Sequence, residues 1–238
     1  MKLGLRGNPL CAMVPTYDLM RIMPPEGNTA DVLPQVYCLR LLYFQGSRLQ
    51  TEKKDEEKMK KKQLYQICEC AVLIALSVAL CAVEIQIGAL GGSIDFVMVP
   101  LFIIAYRNGW GYGIASGLVF GFFKCLIGGG IGWGLPSVLL DYVLAYGAVG
   151  VAGFFKRKPW AVELSAFIGC LARFGIHFIS GVTIYMITAP TECAGITFAN
   201  PVLYSIVYNA LYMLPNTVIA VVVMALLRYP LKRLEKLY

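Results

Sequence analysis

The chain has 238 residues, 58% of them hydrophobic and 15% charged, with a mean hydropathy of +0.66. Soluble domains run at about 45–50% apolar and about 25% charged, so this composition excludes a water-facing globular exterior and indicates a chain embedded in a bilayer. The formal charge of +7 does not mark a nucleic-acid binder: eleven of the 21 Lys and Arg fall in residues 1–62 and the rest lie mainly at the ends of apolar runs, so there is no continuous basic face.

In chain order, residues 1–50 hold several prolines and scattered charges and show no sustained helical or strand period. The basic start, Met1–Arg6, is followed by no long apolar core, which argues against a signal peptide. Residues 51–62, TEKKDEEKMKKK, are a solvated charge run. Met59 stands just ahead of Lys60–Lys62 and the first apolar stretch. Residues 1–62 are therefore read as an N-terminal segment, disordered or preceding a native start at Met59, and residues 63–238 as the membrane domain.

From Ile67 the pattern changes. Apolar stretches run over Ile67–Leu90, Ile94–Tyr106, Trp110–Ile127, Leu135–Phe155, Ala161–Ile187 and Val202–Leu227. A spanning helix needs about 20 residues at about 1.5 Å each. Four stretches are clearly long enough, the second is short, and the third is glycine-rich but adequate if tilted. The expected fold is all-α and polytopic, with six transmembrane helices. Lys60–Lys62, Arg107, Lys156–Lys158 and the Arg228–Lys236 segment flank one set of helix ends, whereas residues 88–93, 128–134 and 188–201 carry no Lys or Arg. The positive-inside rule then places both termini in the cytoplasm.

The three loops without basic residues are Gly-Ala-Leu-Gly-Gly-Ser over 88–93, Gly-Gly-Gly-Ile-Gly-Trp-Gly over 128–134, and Thr188 to Pro201. They are either a lid over a pocket or short turns between helices. The eight cysteines, Cys11, Cys38, Cys68, Cys70, Cys81, Cys125, Cys170 and Cys193, contain no CxxC pair, and there is one His. They read as small buried hydrophobes, and neither a metal site nor a cofactor is expected.

Polar side chains at membrane depth mark function. Glu84, Asp95, Lys124, Asp141, Tyr142, His177, Tyr185, Tyr204, Tyr208 and Asn209 all fall near the ends of helices expected to face outward. His177 and Tyr185 are eight apart, about two turns, so they share a face. A carboxylate favours a cationic partner, tyrosines offer stacking and cation–π contacts, and Asn and His give directional hydrogen bonds. Together they suit a flat, nitrogen-rich, positively charged organic molecule. The alternative is that Asp141 pairs with Lys124 and the aromatic rings only pack. Lys124 is the one basic residue expected near the pocket, which predicts weak recognition of a diphosphate ester.

Four sequence features carry a resemblance. They are Ala71-x-x-x-Ala75-x-x-x-Ala79 in the first helix, GGSIDFVMVPLFIIAYRNG across the first loop and second helix, LLDYVLAYGAVGVAG in the fourth, and HFISGVTIY with YSIVYNALYMLPN in the fifth and sixth. From Tyr65 to the C-terminus, about three quarters of the chain, the sequence resembles the thiamin-specific substrate-binding subunits (S-components) of energy-coupling factor (ECF) transporters. The resemblance implies ligand contacts at Asp141, Tyr142, His177, Tyr185, Tyr204 and Asn209. It implies docking of a transmembrane coupling subunit on Ala71, Ala75 and Ala79, two ATP-binding partner subunits, and a place in the bacterial plasma membrane. Three departures stand out. The acid is Asp141 where the family commonly has Glu, Tyr185 replaces a Trp, and the first loop lacks a Trp for which Trp133 is the candidate substitute.

Two other functions are compatible with parts of this pattern. An S-component for another vitamin or a pyrimidine precursor fits the same architecture. An intramembrane serine protease using Ser116 and His177 requires the two side chains at one depth, and the helix order sets them apart. As a solute-binding transport subunit the chain is not expected to be an enzyme; no GxxxxGK[ST] occurs, so ATP hydrolysis would fall to partners.

Overall fold

The computed structural model describes residues 29–87, 92–128, 130–156, 158–188, 192–193, 196–198 and 200–235. The chain divides into two compact units, Met1–Lys62 and Gln63–Tyr238. Helix α1 runs over Thr29–Leu80. Residues 29–50, expected to lack a regular element, are thus helical. In the charged stretch that follows, Glu56–Lys60 (2.7 Å) and Glu57–Lys61 (2.9 Å) form exposed ion pairs. At i,i+4 with Glu first, each stabilises a solvated helix by a few tenths of a kcal/mol, a local term that hydrophobic periodicity does not register.

In the second unit α1 ends at Leu80, a 3₁₀ turn covers Cys81–Val83, and Ile85–Ile87 (β1) pairs antiparallel with Gly92–Ile94 (β2). The first apolar stretch was expected to stay helical to Leu90. It does not, because alternating Ile85, Gln86 and Ile87 follow the two-residue period of a strand. The remaining helices are α2 (Met98–Asn108), α3 (Trp110–Ile127), α4 (Leu135–Phe155), α5 (Val162–Thr188) and α6 (Pro201–Glu235). A second small hairpin, β3 (Glu192–Cys193) with β4 (Ile196–Thr197), lies between α5 and α6.

Among the described residues, five helices are long and apolar enough to cross a membrane. The exception, α2, has 11 residues, about 16 Å at 1.5 Å per residue. It need not meet lipid on all sides, because Met98, Leu101, Phe102, Ile104, Ala105 and Tyr106 are all buried at the centre of the core. Polarity runs opposite to that of a soluble protein. Ser116, Lys124, Arg173, His177, Asn209 and Asn216 are buried, while Phe122, Leu171, Val218 and Leu226 are exposed. That distribution suits a surface solvated by acyl chains and a polar interior.

Two devices hold the helices in place. Gly109, at φ +99°, breaks the chain between α2 and α3. Beside it Arg107 pairs with Glu69 of α1 (2.6 Å), and Asn108 Nδ2 donates to Glu69 Oε2 (3.2 Å). The second device is a glycine seam between α3 and α4. A Cβ on Gly117 would lie 2.2 Å from the Tyr146 carbonyl oxygen, one on Gly121 2.4 Å from that of Tyr142, and one on Gly150 2.2 Å from the Ile114 nitrogen. Small residues at four-residue spacing let two backbones touch, and van der Waals contact then replaces the hydrophobic effect as the source of association in lipid.

Asn216 fastens the β1–β2 hairpin to α6 through two hydrogen bonds. Asn216 Oδ1 accepts from the Asp95 amide (2.9 Å), and its Nδ2 donates to the Ser93 carbonyl (2.7 Å). Asn216→Ala strands the buried Asp95 amide and the half-buried Ser93 carbonyl, so we expect it to cost about 1–3 kcal/mol. A lowered thermal unfolding midpoint in detergent, with helix content retained, is the readout; an unchanged midpoint would contradict the fastening role.

Candidate ligand-binding site

The seam carries α4 against α3 at the end of the bundle away from Gly109, and there α4 departs from α-helical geometry. Residues Val138–Leu144 form a π-helical turn, with the Ala145 amide donating to the Leu140 carbonyl. Such a turn shifts the side chains that follow it and is frequent at functional sites. Ser137, Asp141, Tyr142 and Tyr146 all line one cavity. Facing them across it are Arg173, His177 and Gly181 of α5 and Tyr204, Tyr208, Asn209 and Tyr212 of α6, and Gln86, Gly92 and Ser93 of the hairpin region border it.

Asp141 anchors the polar network. Its Oδ2 accepts from the Ser137 hydroxyl (2.8 Å) and its Oδ1 lies 3.1 Å from His177 Nδ1. Arg173 Nε–H donates to His177 Nε2 (3.3 Å). Since Nε2 accepts, the imidazole proton sits on Nδ1 and is donated to Asp141. The Arg173 guanidinium lies 4.1 Å from the centre of the Tyr146 ring, a cation–π contact. Its Nη1 is buried with no hydrogen-bond partner among the described residues.

Asn209 Nδ2 donates to the Ser205 carbonyl (2.8 Å) and reaches the His177 carbonyl (3.3 Å), and its Oδ1 accepts from Tyr212 Oη–H (2.7 Å). One lone pair of Oδ1 remains for a ligand. Tyr204, Tyr208 and Tyr212, spaced by four residues on α6, form an aromatic ladder: the Tyr204 and Tyr208 rings stack at 5.8 Å, and Tyr212 meets His177 edge-on at 5.9 Å. The Gly92 amide donates to Tyr208 Oη (3.1 Å), joining the hairpin to this wall.

The cavity therefore gathers Asp141, Tyr142, His177, Tyr204 and Asn209. The side chains of Tyr185 and Trp133 lie outside the described residues. Asp95 stands apart from the cavity wall: its Oδ1 accepts from the Val97 amide (3.2 Å) at the start of α2. Lys124 does not pair with Asp141; its ammonium pairs with Glu84, and both line the cavity. Arg173 is a second base at the cavity wall, which removes the premise for weak binding of a diphosphate ester. An Arg one turn before His177, inside an apolar helix, is the sequence signal for it. Ser116 is buried in α3, and both His177 nitrogens are engaged by Arg173 and Asp141, so Ser116 and His177 do not form a dyad. Ala71, Ala75 and Ala79 are exposed along one face of α1.

Residues 67–236 match the sequence model of the family described as thiamine transporter protein (Thia_YuaJ). The chain is 34% identical over 191 residues to the thiamine transporter ThiT of Bacillus subtilis (strain 168), covering 74% of this chain and 96% of that protein. The chain belongs to this family. Within the thiamine transporter family it is also 29% identical over 182 residues to ThiT of Lacticaseibacillus paracasei, covering 70% of this chain and 88% of that protein. A solved structure of ThiT from Listeria monocytogenes shares the fold at a TM-score of 0.62 and 23% identity, covering 71% of this chain and 96% of that one. With its apolar spans, this member of the thiamine transporter family is a multi-pass protein of the bacterial plasma membrane.

Proposed function

We propose that the chain is the thiamin-binding S-component of an ECF-type importer. The observation that carries this is Asp141, a carboxylate with one donor on each oxygen, set in a cavity walled by tyrosine rings. A flat cation gains charge attraction from the acid and cation–π contact from the rings, about 0.5–2 kcal/mol for each ring. Thiamin pairs a thiazolium cation with an aminopyrimidine and presents both needs. The names of the relatives support the same ligand.

In this reading Asp141, Tyr142, His177, Tyr185, Tyr204, Asn209 and Trp133 contact the ligand. The substrate-binding domain is residues 63–238, with both termini cytoplasmic and the cavity open to the outside, as the basic segments favour. Ala71, Ala75 and Ala79 form the face that meets a transmembrane coupling subunit, whose two ATP-binding partners supply the energy; the subunit itself performs no catalysis. Uptake of labelled thiamin by cells lacking their own transporter tests this. Uptake is expected only when the chain and a coupling module are expressed together, and to fall when Ala75 is replaced by Leu. Uptake by the chain alone would remove the coupling module from the proposal.

A further inference from the structure

Two helical threonines of this protein turn back onto their own backbone: Thr183 donates to the Ile179 carbonyl (2.7 Å) and Thr217 to that of Met213 (2.7 Å). Ser137 does not. It sits in the first turn of α4, where the residue four earlier, Trp133, precedes the helix, so no helical carbonyl stands behind it. Its hydroxyl points forward instead, to Asp141 Oδ2 at 2.8 Å, and Ser137 is itself buried at the cavity wall.

We propose that Ser137 is a positioning residue that makes the site selective for a cation. An aspartate held through one oxygen can swing about its last torsion. With His177 Nδ1–H on Oδ1 and the Ser137 hydroxyl on Oδ2, both oxygens are fixed, and the remaining lone pairs have one direction left to face. Fixing the carboxylate before the ligand arrives removes an ordering cost at binding. The gain falls on ligands that use the charge; a neutral ligand of the same shape draws little from it. Asp141 is also one methylene shorter than glutamate, which makes its direction matter more than its reach.

The inference rests on the thiamin reading, and its test separates the two. Purified protein is titrated with thiamin and with the uncharged analogue whose thiazolium nitrogen is replaced by carbon. Wild-type protein should bind thiamin more tightly than the analogue. Ser137→Ala should lower that preference about tenfold, the scale of one hydrogen bond to a charged group, and Ser137→Thr, which keeps the hydroxyl, should retain it. An equal loss of affinity for both ligands would show a packing role and overturn the inference, as would an unchanged preference. Wild-type protein that binds neither ligand would overturn the thiamin reading and this inference with it.

Discussion

Asp141→Asn is expected to weaken thiamin binding by about 1.5–3 kcal/mol, roughly 10- to 150-fold, the range for a hydrogen bond or contact involving a charged group. The substitution keeps the size and shape of the side chain. It keeps an oxygen for His177 Nδ1–H, 3.1 Å away, but replaces the acceptor of the Ser137 hydroxyl or forces the amide to flip. What it removes is the charge. Lys124 is neutralised by Glu84, so Asp141 is the acid at the cavity that carries no lysine or arginine partner among the described residues. Without it, the Arg173 guanidinium leaves the site with a net positive balance that opposes a thiazolium. Isothermal titration of both proteins gives the ratio directly. Equal affinities would mean that the ligand is recognised without its charge.

Gly117→Ala is expected to cost about 3 kcal/mol of stability, near the upper end of overpacking in a filled core. The new methyl would lie 2.2 Å from the Tyr146 carbonyl oxygen. The obstacle is backbone rather than a flexible side-chain tip, so α3 and α4 must separate. Moving α4 moves Tyr142, Tyr146 and Asp141 together, and ligand affinity should fall with stability. Gly111 provides the control, since nothing lies within 4 Å of a Cβ placed there. Thermal unfolding in detergent should therefore show a large drop for Gly117→Ala and little change for Gly111→Ala. Matching midpoints would contradict the seam.

Much of this architecture was legible in the chain. Apolar run lengths fix the long helices, because a bilayer demands about 20 residues from each. The candidate cavity was visible as polar residues that lipid would not tolerate, and Asp141, Tyr142, His177, Tyr204 and Asn209 line it together. What periodicity hid was local. The end of α1 turns into a hairpin because Ile85 and Ile87 alternate with polar neighbours, a signal only a few residues long. The π-helical turn at Val138–Leu144 leaves no mark in composition, so Tyr146, five residues on, is not expected beside Asp141; Ser137, four residues before Asp141, shares its face by ordinary helical spacing. The partners of Lys124 and Asp141 depend on how helices rotate, which neither spacing nor hydropathy fixes.

The most direct test is a thiamin titration of the purified protein in detergent, read by tryptophan fluorescence. Saturable quenching at submicromolar thiamin, shifted to higher concentration by Asp141→Asn and by Asn209→Ala, is the expected result. Protein that stays folded, ignores thiamin and responds to another vitamin or a pyrimidine precursor would contradict the proposed ligand.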